Sequence, residues 1–383
     1  MVAFVLLATL YYSGALLTRQ EISMTMIFRT DSSYAISIGH VMRCLNLADY
    51  LSAQHIDVSF LCRALEGHIA DVIAQRGYTV QLLEGEAKAP NREHNRFRHE
   101  HWLGASWQED AEQTIQLASL ASPKWMVVDH YGIDERWEQK VKSALGCRLM
   151  VIDDLADRKH DADILLDQNI HEDATRYDAL LPPHCKRFMG PSYALLQPAY
   201  FKAENRRPKQ EPPKCLFIFF SAADRTGETL KTLQALQLVD YRFEQVIVVC
   251  GGQNAQLEEI QTLCTNQHYE LHVDTQHMAE LISRADIAIG GGGVNSWERC
   301  YLHVPSLVIS VADNQIHAAQ ESHRAGYIHY IGPSADIDIK QLANAMHQFI
   351  NDTQLHHTIT TTLQTHFTDT HLNQIIDHIT DGY

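Results

Sequence analysis

One pattern repeats along this chain and restricts what it can fold into. Short runs rich in β-branched and aromatic residues alternate with segments whose apolar residues recur every three or four positions. From Met24 the runs MTMIFR, IDVSFLC, YTVQLL, WMVVDH and RLMVIDD read as strands. Between them, GHVMRCLNLADYLSAQ and EGHIADVIAQRG read as helices, with two more near 107–121 and 134–145. In the first helix the apolar positions are Val41, Cys44, Leu45, Leu47, Ala48 and Leu51, and the second ends in glycine. Strands that are apolar throughout and separated by helices predict parallel sheets covered on both faces.

The alternation breaks at AENRRPKQEPPK, which has charge and three prolines but no apolar period, and then restarts. CLFIFF, QVIVVC, YELHV, DIAIGG and PSLVISV are the strands of the second half. Helices are predicted near 225–237 and 255–266, at MAELISRA, from about 295, and near 314–325. The expected fold class is therefore α/β, with two doubly wound Rossmann-like domains facing one another across a cleft. The expected boundaries are an apolar extension over 1–23, an N-terminal domain over 24–202, a linker over 203–214 and a C-terminal domain over 215–383. The last helices of the second domain are expected to pack back on the first. At 383 residues, two domains suit the length. No repeat of solenoid period is present.

Charge and cysteine usage exclude several classes. Lys and Arg number 31 against 47 Asp and Glu, a formal charge of −16 that opposes general nucleic-acid binding. The eight cysteines are scattered without a CxxC pair, as in a reduced cytoplasmic protein. The opening run MVAFVLLATLYYSGALL lacks a basic n-region and is short for a spanning helix, so it reads as a start-site extension before Met24 and Met26 or a loosely attached apolar tail rather than an export signal, with no stable membrane association. The 23 histidines include no HExxH, and neither a metal nor a cofactor is expected.

Polar clusters sit where strands end. Asp31-Ser32-Ser33 and Gly39-His40 follow the first strand, Asp129-His130-Tyr131 ends WMVVDH, and Asp153-Asp154 ends RLMVIDD. In open α/β sheets ligands bind at such carboxyl ends. Each cluster alone also reads as helix capping, and His40 alone as a solvated cap. In the second half, four glycines (Gly290 to Gly293) run into a helix starting near Asn295 or Ser296, with Glu298 in its first turn. Glycines permit close backbone approach and the helix start offers free amides to a phosphate, while a first-turn carboxylate suits ribose hydroxyls. The other reading is a tight turn that only packs the domain. Neither GxGxxG nor GxxxxGK[ST] is present, which excludes the nicotinamide and P-loop readings.

Five stretches together carry a resemblance: FRTDSSYAISIGHVMRCLNLAD, VVDHYGID, VIDDLADRKHDADILLDQN, MGPSYALLQPAY and AIGGGGVNSWERCYLHVPSLVISVADNQ. In order and spacing, over roughly residues 26–330, the chain resembles the pseudaminic-acid pathway hydrolases of UDP-2,4-diacetamido-2,4,6-trideoxy-β-L-altropyranose. These are relatives of MurG-type glycosyltransferases with the GT-B fold. The resemblance implies His40 as the catalytic base, Tyr131 as a second catalytic residue and Glu298 as the ribose ligand. It implies Asn314 and Gln315 near sugar or diphosphate. On the same reading Asp31, Ser32, Gly39, Arg43, Asp129 and Asp153 contact substrate, and Gly291, Gly292, Gly293 and Ser296 hold UDP. The implied partner is a UDP-sugar, and the expected state is a monomer. Where the family reads GG-[SA]-D-P, this chain has Ser221-Ala222-Ala223-Asp224-Arg225, whose added Cβ atoms narrow the approach to a diphosphate unless Arg225 compensates by pairing with phosphate. A glycosyltransferase using the same base on an acceptor hydroxyl, and a binding protein without catalysis, remain the alternatives.

Overall fold

The computed structural model describes residues 24–84, 96–202 and 206–381. The apolar extension, part of the polar loop after YTVQLL and the first linker residues lie outside these. Two parallel sheets form. The first comprises β1 (Thr25–Thr30), β2 (Asp57–Arg63), β3 (Thr79–Leu83), β4 (Trp125–Asp129), β5 (Arg148–Ile152), β6 (Ile164–Asp167) and β7 (Lys186–Met189), in the order β3-β2-β1-β4-β5-β6-β7. Helices α1 (Gly39–Ser52), α2 (Ala70–Gln75), α3 (Trp107–Ala118) and α4 (Glu135–Leu145) cross between them.

The second sheet comprises β8 (Cys215–Phe219), β9 (Gln245–Cys250), β10 (Glu270–Val273), β11 (Ile287–Gly291), β12 (Ser306–Ser310) and β13 (His329–Pro333), in the order β10-β9-β8-β11-β12-β13. Its helices are α5 (Glu228–Leu236), α6 (Leu257–Gln267), α7 (Met278–Arg284), α8 (Asn295–Tyr301), α9 (Asp313–Arg324), α10 (Ile339–Asn351), α11 (Thr353–His366) and α12 (Leu372–Thr380).

Local chemistry explains the boundaries. The Asp134 carboxylate accepts the Arg136 amide at 3.1 Å to start α4, and Gly146, at φ 63°, ends it in the left-handed conformation. Asp338 and Gln341 close a reciprocal capping box at the head of α10. Phe28, Phe60, Val127 and Ile152 fill one face of the first sheet with α1, and Ile27, Met126, Val128 and Val151 fill the other with Trp137. Helix α12 leaves the second domain and buries Leu372, Ile375, Ile376 and Ile379 in the first domain's core. β6, β7 and β13, and the helices from α10 onward, go beyond the strand and helix stretches read above.

The carboxyl ends of the two sheets face each other. Arg225, after β8, lies 5.9 Å from the Tyr34 ring, Arg98 pairs with Asp313 at 2.7 Å, and Arg324 with Glu172 at 2.8 Å. The Trp297 indole donates to Asn169 across the same cleft at 3.1 Å.

Candidate active site at the carboxyl ends of the strands

Four neighbouring strands, β1, β4, β5 and β6, deliver side chains to one place. His40 sits in the first turn of α1, and its Nδ1 lies 2.6 Å from the Asp129 Oδ1 at the end of β4. Arg43, one turn later, donates from Nε to Oδ2 at 2.6 Å and from Nη2 to Oδ1 at 2.7 Å of the same carboxylate. A carboxylate only accepts, so Nδ1 carries the proton of this bond, and in the neutral imidazole the lone pair is on Nε2. Among the described residues no hydrogen bond engages Nε2. Burial alone would raise the Asp129 carboxyl, but the charges of Arg43 and His40 outweigh it and hold it well below the usual carboxylate range. An ionised aspartate thus fixes the ring and stabilises the imidazolium formed when Nε2 takes a proton.

Aromatic rings wall this dyad. The Tyr131 ring meets His40 edge-on at 4.5 Å, and Trp102 stacks on Tyr131 at 5.8 Å. The Tyr131 hydroxyl donates to Asp154, and burial first, then Asp154, pushes its pKa well up, so it stays a neutral donor. Asp154 also receives Arg43 at 3.2 Å and Asn169 at 3.1 Å.

Three residues expected at substrate are engaged with other groups of the protein. Asp31 is fully buried, taking Arg29 and the Arg63 amide at 2.6 Å each, with His130 at 3.2 Å on its other oxygen. The Ser32 hydroxyl accepts the Ile69 amide at 3.0 Å. Asp153 is fully buried against Arg158 at 2.7 Å and the Tyr177 hydroxyl. Chain direction at the strand ends is the reason: Asp31 and Asp153 continue the buried line of β1 and β5, and the chain turns only afterwards. Asp154, Asn169 and Trp102 hold places in the cluster that the candidate residues did not include. The one signal for Asp154 was its position beside Asp153.

Across the cleft the glycine run divides in two. A Cβ on Gly290 would stand 2.3 Å from the Phe219 carbonyl and one on Gly291 2.8 Å from that of Phe220, so these two are explained by the close approach of β11 to β8. Gly292 and Gly293 have no such backbone neighbour, and the nearest atom to a Cβ on Gly293 is Gln315 Nε2 at 3.4 Å. Gly290→Ala is therefore expected to cost about 3 kcal/mol or more, at the upper end of overpacking. Gly293→Ala should stay within ~0.5 kcal/mol of wild type. Urea midpoints of the two variants check both.

The helix after this turn is held from behind. Ser296 Oγ, buried, donates to the Gly291 carbonyl at 3.1 Å, and Arg299 donates to that carbonyl at 2.8 Å. Ser296 is thus committed to the turn itself. Glu298 is partly exposed, with Asn295 and Tyr200 as hydrogen-bond donors, and burial raises its pKa despite them. Gln315 accepts the Val311 amide through Oε1 at 3.0 Å, which leaves its amide hydrogens toward Gly293. Asn314 is exposed in the first turn of α9.

The Ser221–Arg225 segment is a capping turn. Asp224 accepts Glu228 and Thr229 amides at 3.1 and 2.7 Å, and the Gly251 amide bonds the Ala222 carbonyl at 2.9 Å. A cavity of about 440 Å³ lies beside it, lined by Tyr34, Arg225, Thr226, Gly227 and Gln256 among others.

Comparison with known proteins places the fold. Residues 223–374 match the glycosyltransferase family 28 C-terminal domain. MurG of Acinetobacter baumannii superposes with a TM-score of 0.65 at 14% identity, over 93% of this chain and 99% of that one. Phytolacca americana UGT2, solved with UDP-2fluoro-glucose and pterostilbene, gives a TM-score of 0.64 at 11% identity, over 94% and 100%. The fold is GT-B. In sequence, this GT-B chain is similar to the UDP-2,4-diacetamido-2,4,6-trideoxy-beta-L-altropyranose hydrolase of Campylobacter jejuni, 26% identical over 79% of this chain and 98% of that protein. It is also similar to the spore coat polysaccharide biosynthesis protein SpsG of Bacillus subtilis, 22% identical over 76% and 78% of the two chains. Among the described residues no helix is long and apolar enough to cross a membrane.

Proposed function

We propose that this protein is a UDP-sugar hydrolase of pseudaminic acid biosynthesis, acting in the cytoplasm on a UDP-2,4-diacetamido-2,4,6-trideoxyhexose. The observation that carries the reading is the His40–Asp129 dyad, with Nε2 unengaged beside Tyr131 at the mouth of a GT-B cleft. The similarity to the Campylobacter hydrolase, spanning nearly all of that protein, supports it. In this reading residues 24–202 hold the sugar and 215–383 hold UDP.

The reaction follows from the chemistry of these groups. Gly292, Gly293 and the Gln315 amide receive the diphosphate, and Glu298 receives the ribose hydroxyls. Water lies between His40 Nε2 and the anomeric carbon. As its oxygen bonds that carbon, its proton passes to Nε2 and the bond to the diphosphate oxygen breaks, releasing UDP. Asp129 steadies the imidazolium, which later returns the proton to solvent. Attack opposite the leaving UDP inverts the anomeric configuration, and no enzyme-bound sugar forms.

The deciding experiment is incubation with UDP-linked diacetamido-trideoxyhexoses, followed by ¹H and ³¹P NMR. Free UDP and an inverted reducing sugar without any acceptor are expected. Turnover only when an acceptor alcohol is added would establish a glycosyltransferase instead, and binding without turnover a nucleotide-sugar-binding protein.

A further inference from the structure

The hydrogen bond from Trp297 to Asn169 is the end of a continuous chain. Trp297 lies on α8 of the second domain, between Ser296 and Glu298, and its Nε1 donates to Asn169 Oδ1 of the first domain at 3.1 Å. Asn169 Nδ2 then donates to Asp154 Oδ2 at 3.1 Å. An indole N–H only donates and a carboxylate only accepts, so the amide has one permitted orientation and links the two. Asp154 takes Arg43 and the Tyr131 hydroxyl, Arg43 grips Asp129 twice, and Asp129 holds His40. Asn169 is itself fixed, since its backbone amide bonds Asp167 Oδ1 at 3.0 Å. A helix of one domain is thereby tied to the imidazole of the other through polar contacts alone.

We propose that Asn169 and Trp297 are positioning residues that couple the ring orientation of His40 to closure of the second domain. With the cleft closed, Asn169 donates to Asp154 and stabilises its carboxylate, and Arg43 stays shared between Asp154 and Asp129. With the cleft open, the indole leaves, Asn169 is released to rotate, and Asp154 draws Arg43 away from Asp129. The imidazole then loses the arrangement that aims Nε2. Seating of a nucleoside diphosphate against α8 favours the closed state and with it the set geometry of the base. This coupling rests on the hydrolase reading above.

Two substitutions test it. Trp297→Phe keeps a ring against Phe367, now 6.1 Å from the indole, but removes the N–H, and Asn169→Ala removes the amide. Each should lower kcat by about 10- to 100-fold, the scale of a small misplacement of a reacting group. KM and UDP affinity should move less than kcat, by no more than the few-fold that one hydrogen bond of the closed state is worth, because the larger loss is in transition-state positioning. The double variant should be no slower than the slower single one, since both remove the same bond. A readout without substrate separates positioning from mere stability: ¹³C NMR of the His40 ring should show a UDP-induced shift in wild type that both variants lose. Unchanged kcat in both variants, or a UDP-induced His40 shift retained in both, overturns the coupling. If the wild-type protein releases no UDP from the sugar, the hydrolase reading fails, and the His40 shift alone decides the coupling.

Discussion

His40→Ala is expected to lower kcat for UDP-sugar hydrolysis by 10²–10⁴-fold, roughly the contribution of a positioned general base. Affinity for UDP should be unchanged, because the groups proposed to hold UDP lie on the other domain. The fold should survive as well: Asp129 keeps both hydrogen bonds from Arg43 when the imidazole is removed. Steady-state rates with calorimetry of UDP binding check both halves. Turnover near the wild-type rate with intact UDP affinity would remove His40 from the mechanism.

Asp110→Ala should have the largest effect on stability. This fully buried carboxylate takes Arg29 Nη2 at 2.6 Å, Arg63 Nη2 at 2.7 Å and the Trp137 indole at 2.9 Å. Its loss removes the carboxylate that Arg29 and Arg63 share, leaving Arg29 to Asp31 and Arg63 to the Glu84 carbonyl and Gln113, and breaking such a buried cluster costs ~3–5 kcal/mol. Urea denaturation at pH 7 measures the loss. The same cluster sets an acid limit. Burial would raise Asp31 and Asp110, but Arg29, with His130 on Asp31 and Arg63 on Asp110, outweighs it, so both carboxyls titrate below the ordinary 3.8. Groups depressed in the folded state contribute stability that is complete above the unfolded pKa and lost as pH falls below it. Wild-type stability should therefore fall steeply below about pH 4. The Asp110→Ala variant should show a shallower fall, because one of the two linked protons is gone.

Much of this architecture was legible in the sequence because its strands are buried on both faces. Runs such as VIVVC and WMVVD carry no polar alternation, and only a parallel sheet wrapped in helices buries them. The strands that escaped, β6, β7 and β13, lie at or next to a sheet edge. β6 and β7 have four residues each, and β6 sits among aspartates in DADILLDQN, too short to show a period. Candidate site residues were legible by type and place: strand ends, a glycine run, a histidine at a helix entrance. Their division of labour was not. Asp153 and Asp154 are neighbours of one type, yet one is sealed under Arg158 and the other faces Arg43 and Tyr131.

By itself, the sequence determined two parallel α/β sheets and the strand ends at which chemistry is possible, because hydrophobic period and glycine placement are local properties of the chain. Tertiary structure alone decided which polar groups meet. His40 and Asp129 are 89 residues apart, and Asn169 and Trp297 are 128 apart in different domains. Hydrogen-bond partnership depends on distances of about 3 Å and on which group can donate. Those are set by the order of strands in a sheet and by how two sheets face each other, which no local period encodes.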